Sequence, residues 1–422
     1  MNQTVKQVNK GIGPLIFLVF LVVARISCPA LSNIPLFTVA FTFVYGVAFL
    51  LIFLLTSRYA TKTELAILLF SALYTLYVML RSLSSGKGLF ATDAFNAYII
   101  VFLVVIYIWA MRQPAKRQKT LLYLIFAALI FNYVYSIWVL TQDPDASRTA
   151  AATSVLEKSP YDILNAVGSF DAVYGGISVV MIMLCMLQNT KRGTFQKHLF
   201  LVIFALAVVF IFMASYATAL VLLLFAIALV FSSRNKILTR LLFAGLILIL
   251  ICHEAIGQWI MDQSAHLSGI ETLQEKMLDF GKMLKTFEAT GTYDGTDGRM
   301  ARMQWSINTF MQHPIFGGQG VSGAKIGGHS EFWDMLGKYG IVGFGLLASF
   351  FIALYKDIKK RMFSVNIRKC CNIVFLVWII TAVLNPALFS LQMMPIILML
   401  PLANAYLENQ AEITAHNKQE NF

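Results

Sequence analysis

The stretch GGHSEFWDMLGKYGIVGFGLLASFFIALYKDIKKR, residues 327–361, combines three kinds of sequence in one run. It opens with a glycine-flanked histidine, His329, and continues into an apolar segment over 337–355. Four basic residues follow, namely Lys356, Lys359, Lys360 and Arg361. An apolar run of about 20 residues is long enough to cross a hydrocarbon core of roughly 30 Å. The stretch therefore predicts a transmembrane helix with a polar entrance and a basic exit.

The whole chain repeats this apolar pattern. Its residues are 58% hydrophobic and 13% charged, and its mean hydropathy is +0.72, whereas soluble domains carry about 25% charged residues. We place about twelve spans, all expected to be helical because a spanning backbone must satisfy its own hydrogen bonds. They cover residues 12–30, 33–56, 64–81, 95–111, 120–140, 170–189, 197–213, 215–232, 238–257, 337–355, 371–389 and 391–408. The first run lacks a convincing cleavage site, so we interpret it as a retained span rather than a signal peptide.

The formal net charge of +12 fits a membrane protein better than a nucleic-acid-binding protein. The basic clusters follow alternate spans, which places them, and both termini, on one side. By the positive-inside rule this side is the cytoplasm. The sequence has no basic stripe interleaved with aromatic residues, so it does not predict a nucleic-acid partner. The five cysteines show no CxxC spacing, so they indicate neither a metal site nor a disulfide framework.

Two segments on the opposite, extracytoplasmic side are longer than turns. The smaller lies near 141–169 and the larger runs over 258–336. We therefore divide the chain into a membrane bundle over 1–257, a large outer loop over 258–336, three further spans within 337–410 and a cytoplasmic tail over 411–422. Within the large loop, apolar spacing predicts an amphipathic helix near 267–287, and a second helix is predicted from Gly298 to Pro314.

The histidine at the start of the quoted stretch is the leading candidate for chemistry. Gly327 and Gly328 allow a sharp turn before it, and Ser330 and Glu331 follow it at a predicted helix start. A neutral imidazole at this position could accept a proton. The alternative interpretation is an ordinary surface histidine in a loop.

Four arginines are candidates for holding an anion. Arg299 and Arg302 are three residues apart on one predicted helix, which suits a diphosphate, although a solvated helix face would have the same spacing. Arg25 lies in the outer part of the first span and Arg81 ends the third. An ionisable residue at such depth indicates a functional site unless its side chain snorkels to the interface. No motif of paired histidines or clustered acids predicts a metal site.

Taken together, these features resemble the O-antigen ligase/polymerase family of bacterial membrane glycosyltransferases. The resemblance is carried by about fifty residues, in GRMARMQWSINTFMQHPIFGGQG and GGHSEFWDMLGKYGIVGFG. The family-like positions are Arg299, Trp305, Pro314, Gly317, Gly318, Gly320, His329, Gly340 and Gly343.

This resemblance implies an all-α polytopic membrane protein of the GT-C type, with about twelve transmembrane helices and a large helical extracytoplasmic loop. It implies metal-independent, cofactor-free transfer of glycan from an undecaprenyl-diphosphate carrier in the plasma (inner) membrane. Arginines would bind the diphosphate and His329 would act as general base. A chain-length regulator and a flippase are the implied protein partners.

The chain departs from the family pattern at the eighth predicted span, where Tyr216 occupies a position at which many members carry arginine. Tyrosine donates one hydrogen bond but carries no positive charge at neutral pH, so we expect Arg25 or Arg81 to supply the missing cation. We interpret the protein as a polymerase of lipid-linked repeat units for O-antigen or capsule. The alternatives are an O-antigen ligase acting on lipid A-core and a flippase or transporter without chemistry.

Overall fold

The computed structural model describes residues 13–27, 60–86, 92–144, 146–147, 167–190, 194–214, 216–232, 251–267 and 299–419, with isolated residues over 235–248 and 274–281. These residues are all-helical and include no strand. The helices are α1 (Gly13–Ser27), α2 (Lys62–Ser84), α3 (Thr92–Ala110), α4 (Ala115–Gln142), α5 (Phe170–Asn189), α6 (Phe195–Ala214), α7 (Ala217–Ser232), α8 (His253–Ser264), α9 (Arg299–Gln312), α10 (Glu331–Arg361), α11 (Val365–Leu384), α12 (Ser390–Met394) and α13 (Leu400–Gln419).

Eight of the described helices are long and apolar enough to cross a membrane. They are Lys62–Ser84, Asp93–Ala110, Ala115–Gln142, Phe170–Asn189, Phe195–Ala214, Glu331–Arg361, Val365–Leu384 and Leu391–Ile413. The last of these combines most of α12, a π-helical segment (Pro395–Met399) and the first part of α13. Each coincides with a predicted span, which confirms a helical chain with many membrane-crossing segments. Thr218–Ser232 is a shorter apolar helix. The predicted span 33–56 and most of the predicted amphipathic helix 267–287 lie outside the described residues, and so do parts of the predicted span 238–257.

Two helices form the centre of the bundle. Every residue of α3 from Ile99 to Ala110 is buried, and so are most residues of α5. Both are apolar on all faces, as expected for helices surrounded by other helices. Around them, α2 packs against α3 and α10, α6 packs against α4 and α5, and α9 packs on α10.

The helix α10 is broken at Gly340, inside its apolar run. Gly340 has φ 63° and ψ −168°, so the helical hydrogen-bond ladder is interrupted there. The amides beyond the break turn to the loop after α9: Ile341 N–H donates to the Pro314 carbonyl (2.8 Å) and Val342 N–H to the Ile315 carbonyl (3.2 Å). Backbone polar groups at membrane depth must find such partners, because lipid offers none.

The carbonyls before the break are also satisfied. Those of residues 337 and 338 accept from Gly318 N–H (2.7 Å) and Gln319 N–H (3.2 Å). The carbonyl of residue 339 accepts from the Tyr77 hydroxyl at 3.1 Å. The loop 314–320 is therefore hydrogen-bonded into the break of α10, with residues 317–319 buried and residues 314–316 exposed.

The other end of the bundle is held by a buried charge network. The Glu64 carboxylate, almost fully buried, pairs with Arg112 at the end of α3 and with Arg361 at the end of α10 (2.8 Å). Arg361 also pairs with Asp357 (2.8 Å), to which the Tyr107 hydroxyl donates a hydrogen bond. This network joins α2, α3 and α10 at the end that carries the predicted cytoplasmic basic residues.

Two helix boundaries differ from the predicted divisions of the chain. The span predicted from residue 337 begins at Glu331, because the Ser330 side chain caps the helix by accepting Trp333 N–H (3.4 Å). The polar residues after His329 are therefore part of the membrane-crossing helix rather than of the outer loop. At the other end of the chain, α13 continues to Gln419, through most of the predicted tail 411–422.

We predict that Gly340→Ala destabilises the protein while Gly345→Ala does not. At Gly340 an added Cβ would meet the Ile315 backbone, and a positive φ costs an L-residue roughly 1–2 kcal/mol before that clash is counted. At Gly345, in the helical part of α10, a Cβ meets nothing within 4 Å. The check is the apparent melting temperature of the purified proteins in detergent; equal temperatures for both variants would contradict the prediction.

Candidate active site

The segment 324–330, which carries His329, is attached along one face of α9. The Thr309 hydroxyl donates to the Lys325 carbonyl (2.7 Å) and accepts from Lys325 N–H (3.2 Å). The Lys325 ammonium lies over the Trp305 ring, 5.3 Å from its centroid. At Gly327 there is no room for a side chain, since a Cβ would meet the backbone carbonyl of Arg302. The glycine is required by this close approach.

A buried carboxylate joins this segment to the start of α10. Asp334 accepts a hydrogen bond from the Ser306 hydroxyl of α9 and another from Ser330 N–H (3.1 Å). The Ser306 hydroxyl in turn accepts from Gly327 N–H (2.9 Å). Asp334 thus holds the residues on both sides of His329, and it is 4% exposed. His329 therefore lies in a segment that is held by hydrogen bonds on both sides of it.

The structure brings together two of the predicted site residues. Arg302 Nη1 lies 2.7 Å from His329 Nε2. Because a guanidinium has only donors, the ring nitrogen must accept this hydrogen bond through its lone pair. Arg302 and His329 are both half-buried, so a ligand can reach the pair. An arginine and a histidine in contact offer an anion-binding group next to a proton acceptor.

The other predicted residues have different positions. Arg299 begins α9, but its side chain lies outside the described part of the structure. Arg81 donates from Nη2 to the carbonyls of Gly317 (2.9 Å) and Gln319 (2.8 Å). Its guanidinium therefore supports the loop inserted into α10, a role that the sequence did not indicate.

Tyr216 and Arg25 are placed on helices away from α9. The Tyr216 hydroxyl donates to the Ser147 carbonyl (3.1 Å), and its ring contacts Phe170 and Tyr174. Arg25 lies half-buried in the last turn of α1, a helix that packs mainly on α4. Whether either residue supplies a cation to the site stays a prediction.

A polar cavity of about 130 Å³ adjoins the His329 segment at Gly328. It lies between α2, α3, the start of α10 and the connection 386–389. Its ionisable or amide-bearing lining residues are Asp93, Asn96, Glu331, Asp334 and Lys338. Sequence reasoning missed all of these except Glu331.

The charged groups of this cavity are held in fixed positions. Lys338 pairs with both carboxylate oxygens of Asp93 (2.9 and 3.1 Å), and the Tyr339 hydroxyl donates to Asp93 at 3.3 Å. Glu331 Oε2 accepts from the amides of Ala387 (2.9 Å) and Leu388 (3.2 Å). One signal could have identified them: Lys338 lies within a predicted span, Glu331 and Asp334 precede the same span, and Asp93 precedes another, and ionisable groups there are costly in a membrane and indicate function.

A second, apolar groove shares a wall with the polar cavity. Its volume is about 420 Å³, and it lies between α10 and α11. Glu331, Met335 and Leu388 line both spaces. From there the groove continues along α10 to Tyr355, between aromatic and aliphatic side chains. An amphiphile with a polar head and a hydrocarbon chain matches this combination.

Comparison with known proteins does not identify the chain. No family model matches it, and no curated protein matches it significantly. Within the described residues, no group of three or more His, Cys, Asp or Glu side chains could hold a metal ion. The site geometry is therefore the main guide to function.

We predict that Arg81→Met loosens the inserted loop. The change removes two hydrogen bonds from a charged donor, each worth about 1.5–3 kcal/mol. Hydrogen–deuterium exchange should increase at the amides of Gly318 and Gln319, which pair with α10. Leu80→Met is the control, since that neighbouring side chain is 55% exposed and makes no polar contact. Unchanged exchange in Arg81→Met would show that the loop holds without the guanidinium.

Proposed function

We propose that the protein is a membrane glycosyltransferase of the O-antigen ligase/polymerase type, which joins undecaprenyl-diphosphate-linked oligosaccharide repeat units into a surface polysaccharide. One observation carries the proposal. The Arg302–His329 pair lies next to a polar cavity that shares its wall with an apolar groove. An anion-binding group, a proton acceptor, a polar pocket and a hydrocarbon groove are what transfer between lipid-linked sugars requires.

In this proposal the donor lies across the groove and the arginines of α9. Its hydrocarbon chain occupies the space between α10 and α11, which is lined by apolar side chains such as Phe351 and Trp378. Its diphosphate is held by Arg302, together with Arg299, because guanidinium groups bind phosphate oxygens in pairs of hydrogen bonds. The site end of the bundle faces the outer side of the bacterial plasma membrane, where such donors are presented.

The transfer step involves one proton and one leaving group. The acceptor hydroxyl oxygen bonds to the anomeric carbon of the donor sugar, and the bond from this carbon to the diphosphate oxygen breaks. The diphosphate leaves with the bonding electron pair on its lipid, and Arg302 stabilises the charge that develops there. His329 Nε2 takes the proton of the acceptor hydroxyl as general base.

The 2.7 Å contact between Arg302 and His329 gives these events an order. While Arg302 donates to Nε2, this nitrogen cannot accept a substrate proton. Binding of the diphosphate draws the guanidinium to the phosphate oxygens and releases the lone pair of the imidazole. The base becomes available only when a donor is present.

We predict that His329→Ala abolishes polymer formation without loss of the protein. General bases contribute about 10²–10⁴-fold to a rate, so the yield should fall at least about 100-fold. The measurement is the glycan ladder of the source strain with its chromosomal copy replaced, at matched protein level. His198→Ala is the control, because this exposed histidine bonds only to the Thr194 carbonyl at the opposite end of the bundle.

Three other outcomes of that experiment would redirect the assignment. A full ladder in His329→Ala would contradict the general-base role. Intact lipid-linked polymer that is no longer attached to lipid A-core would identify a ligase. Repeat units that remain on the inner leaflet would identify a flippase.

We also predict that transfer survives chelation. Three acids line the cavity, but within the described residues no group of three or more His, Cys, Asp or Glu side chains could hold a metal ion. Transfer by purified protein in EDTA should therefore proceed at the rate measured without it. A rate that falls in EDTA and returns with a divalent ion would overturn this prediction.

A further inference from the structure

Some polar groups that line the cavity beside Gly328 have no hydrogen-bond partner among the described residues. Lys338 donates to both carboxylate oxygens of Asp93, and Asp334 accepts from Ser306 and Ser330. In contrast, the second carboxyl oxygen of Glu331 and the side-chain amide of Asn96 form no hydrogen bond with the described residues. Glu331 is 9% exposed. Asn96 is half-buried, so its side-chain amide can bond to a ligand or to water in the cavity.

These open groups match hydroxyl groups better than ions. An amide both donates and accepts, and a carboxylate accepts, so together they can bind neighbouring hydroxyls of one ring. Tyr74 and Phe389 add aromatic rings to the wall, suited to the apolar faces of a sugar. At about 130 Å³ the cavity can hold several waters or one edge of a sugar ring.

The charges that line the cavity limit the class of ligand further. Three carboxyl groups, from Asp93, Glu331 and Asp334, face a single ammonium group, from Lys338. This balance repels phosphate and carboxylate groups, so the cavity does not suit the donor diphosphate or an acidic sugar. It tolerates neutral sugars and favours amino sugars.

We propose that this cavity is the acceptor subsite: it binds the sugar that carries the attacking hydroxyl, a neutral or amino sugar, through Asn96 and Glu331. The inference rests on the proposed function. Gly328 lines the cavity and directly precedes His329, so a sugar bound there would have its hydroxyl next to the proposed base. Asn96 and Glu331 are binding residues in this proposal, and Lys338 keeps Asp93 in place. The acceptor must then match the cavity, whereas the donor sugar need not.

The test measures sugar binding separately from catalysis. Saturation-transfer NMR on the purified full-length protein is recorded with N-acetylglucosamine, glucosamine and glucuronic acid at millimolar concentration. Wild type should bind the first two and not the third. Asn96→Leu, which keeps the size of the side chain but removes its polar atoms, should weaken binding at least tenfold. Asn132→Leu is the matched control, a buried asparagine on α4 outside the cavity.

Transfer assays on the same variants separate this inference from the proposed function. With lipid-linked repeat units from a polymerase-deficient strain as substrate, Asn96→Leu should raise the acceptor KM at least tenfold, and His329→Ala should keep sugar binding but lose transfer. Equal sugar binding by Asn96→Leu and wild type, or preferred binding of glucuronic acid, overturns the acceptor subsite alone. Undiminished transfer by His329→Ala overturns the proposed function and leaves the sugar-binding cavity intact.

Discussion

The interruption of α10 at Gly340 is the constraint on which the site depends. A membrane-crossing helix that breaks its own hydrogen-bond ladder must satisfy the released groups inside the protein. Here two amides and three carbonyls are satisfied by the loop 314–320 and by Tyr77. The loop cannot detach without leaving these groups unpaired at membrane depth, at a cost of about 1–3 kcal/mol each. The break therefore fixes the loop after α9 to the bundle.

Fixing this loop also fixes the histidine. The loop continues α9, and α9 carries both Arg302 and the Ser306 hydroxyl that holds Gly327. The start of α10 holds the same segment from the other side through Asp334. His329 is thus supported by two elements that the break joins into one unit. In the proposed function, this support positions His329 before substrate arrives, as general-base catalysis requires.

The sequence predicted the helices well and the site in part. Apolar runs over 64–81 and 170–189 could only be buried or membrane-crossing helices, and they are helices. His329 and Arg302 were singled out from glycine framing and helical spacing, and they are in contact. The pairing of Asp93 with Lys338 was missed, because the two residues are separated by 245 positions in the sequence and only the fold brings them together. Arg81 was singled out for its depth, but its backbone partners could be known only from the fold.

The groups on the two sides of His329 carry charges of opposite sign, so the two sides attract ligands of different charge. Arg302 lies on the α9 side, whereas three carboxyl groups line the cavity beyond Gly328. A negative charge about 4 Å from a carboxylate costs on the order of 4 kcal/mol at an effective dielectric of 20, a factor of roughly a thousand in occupancy. Under the proposed function, a lipid diphosphate is therefore excluded from the acid-lined side and attracted to the arginine. The two lipid-linked substrates of that proposal would then be distinguished by the end that enters each side, the diphosphate end of the donor and the hydroxyl end of the acceptor.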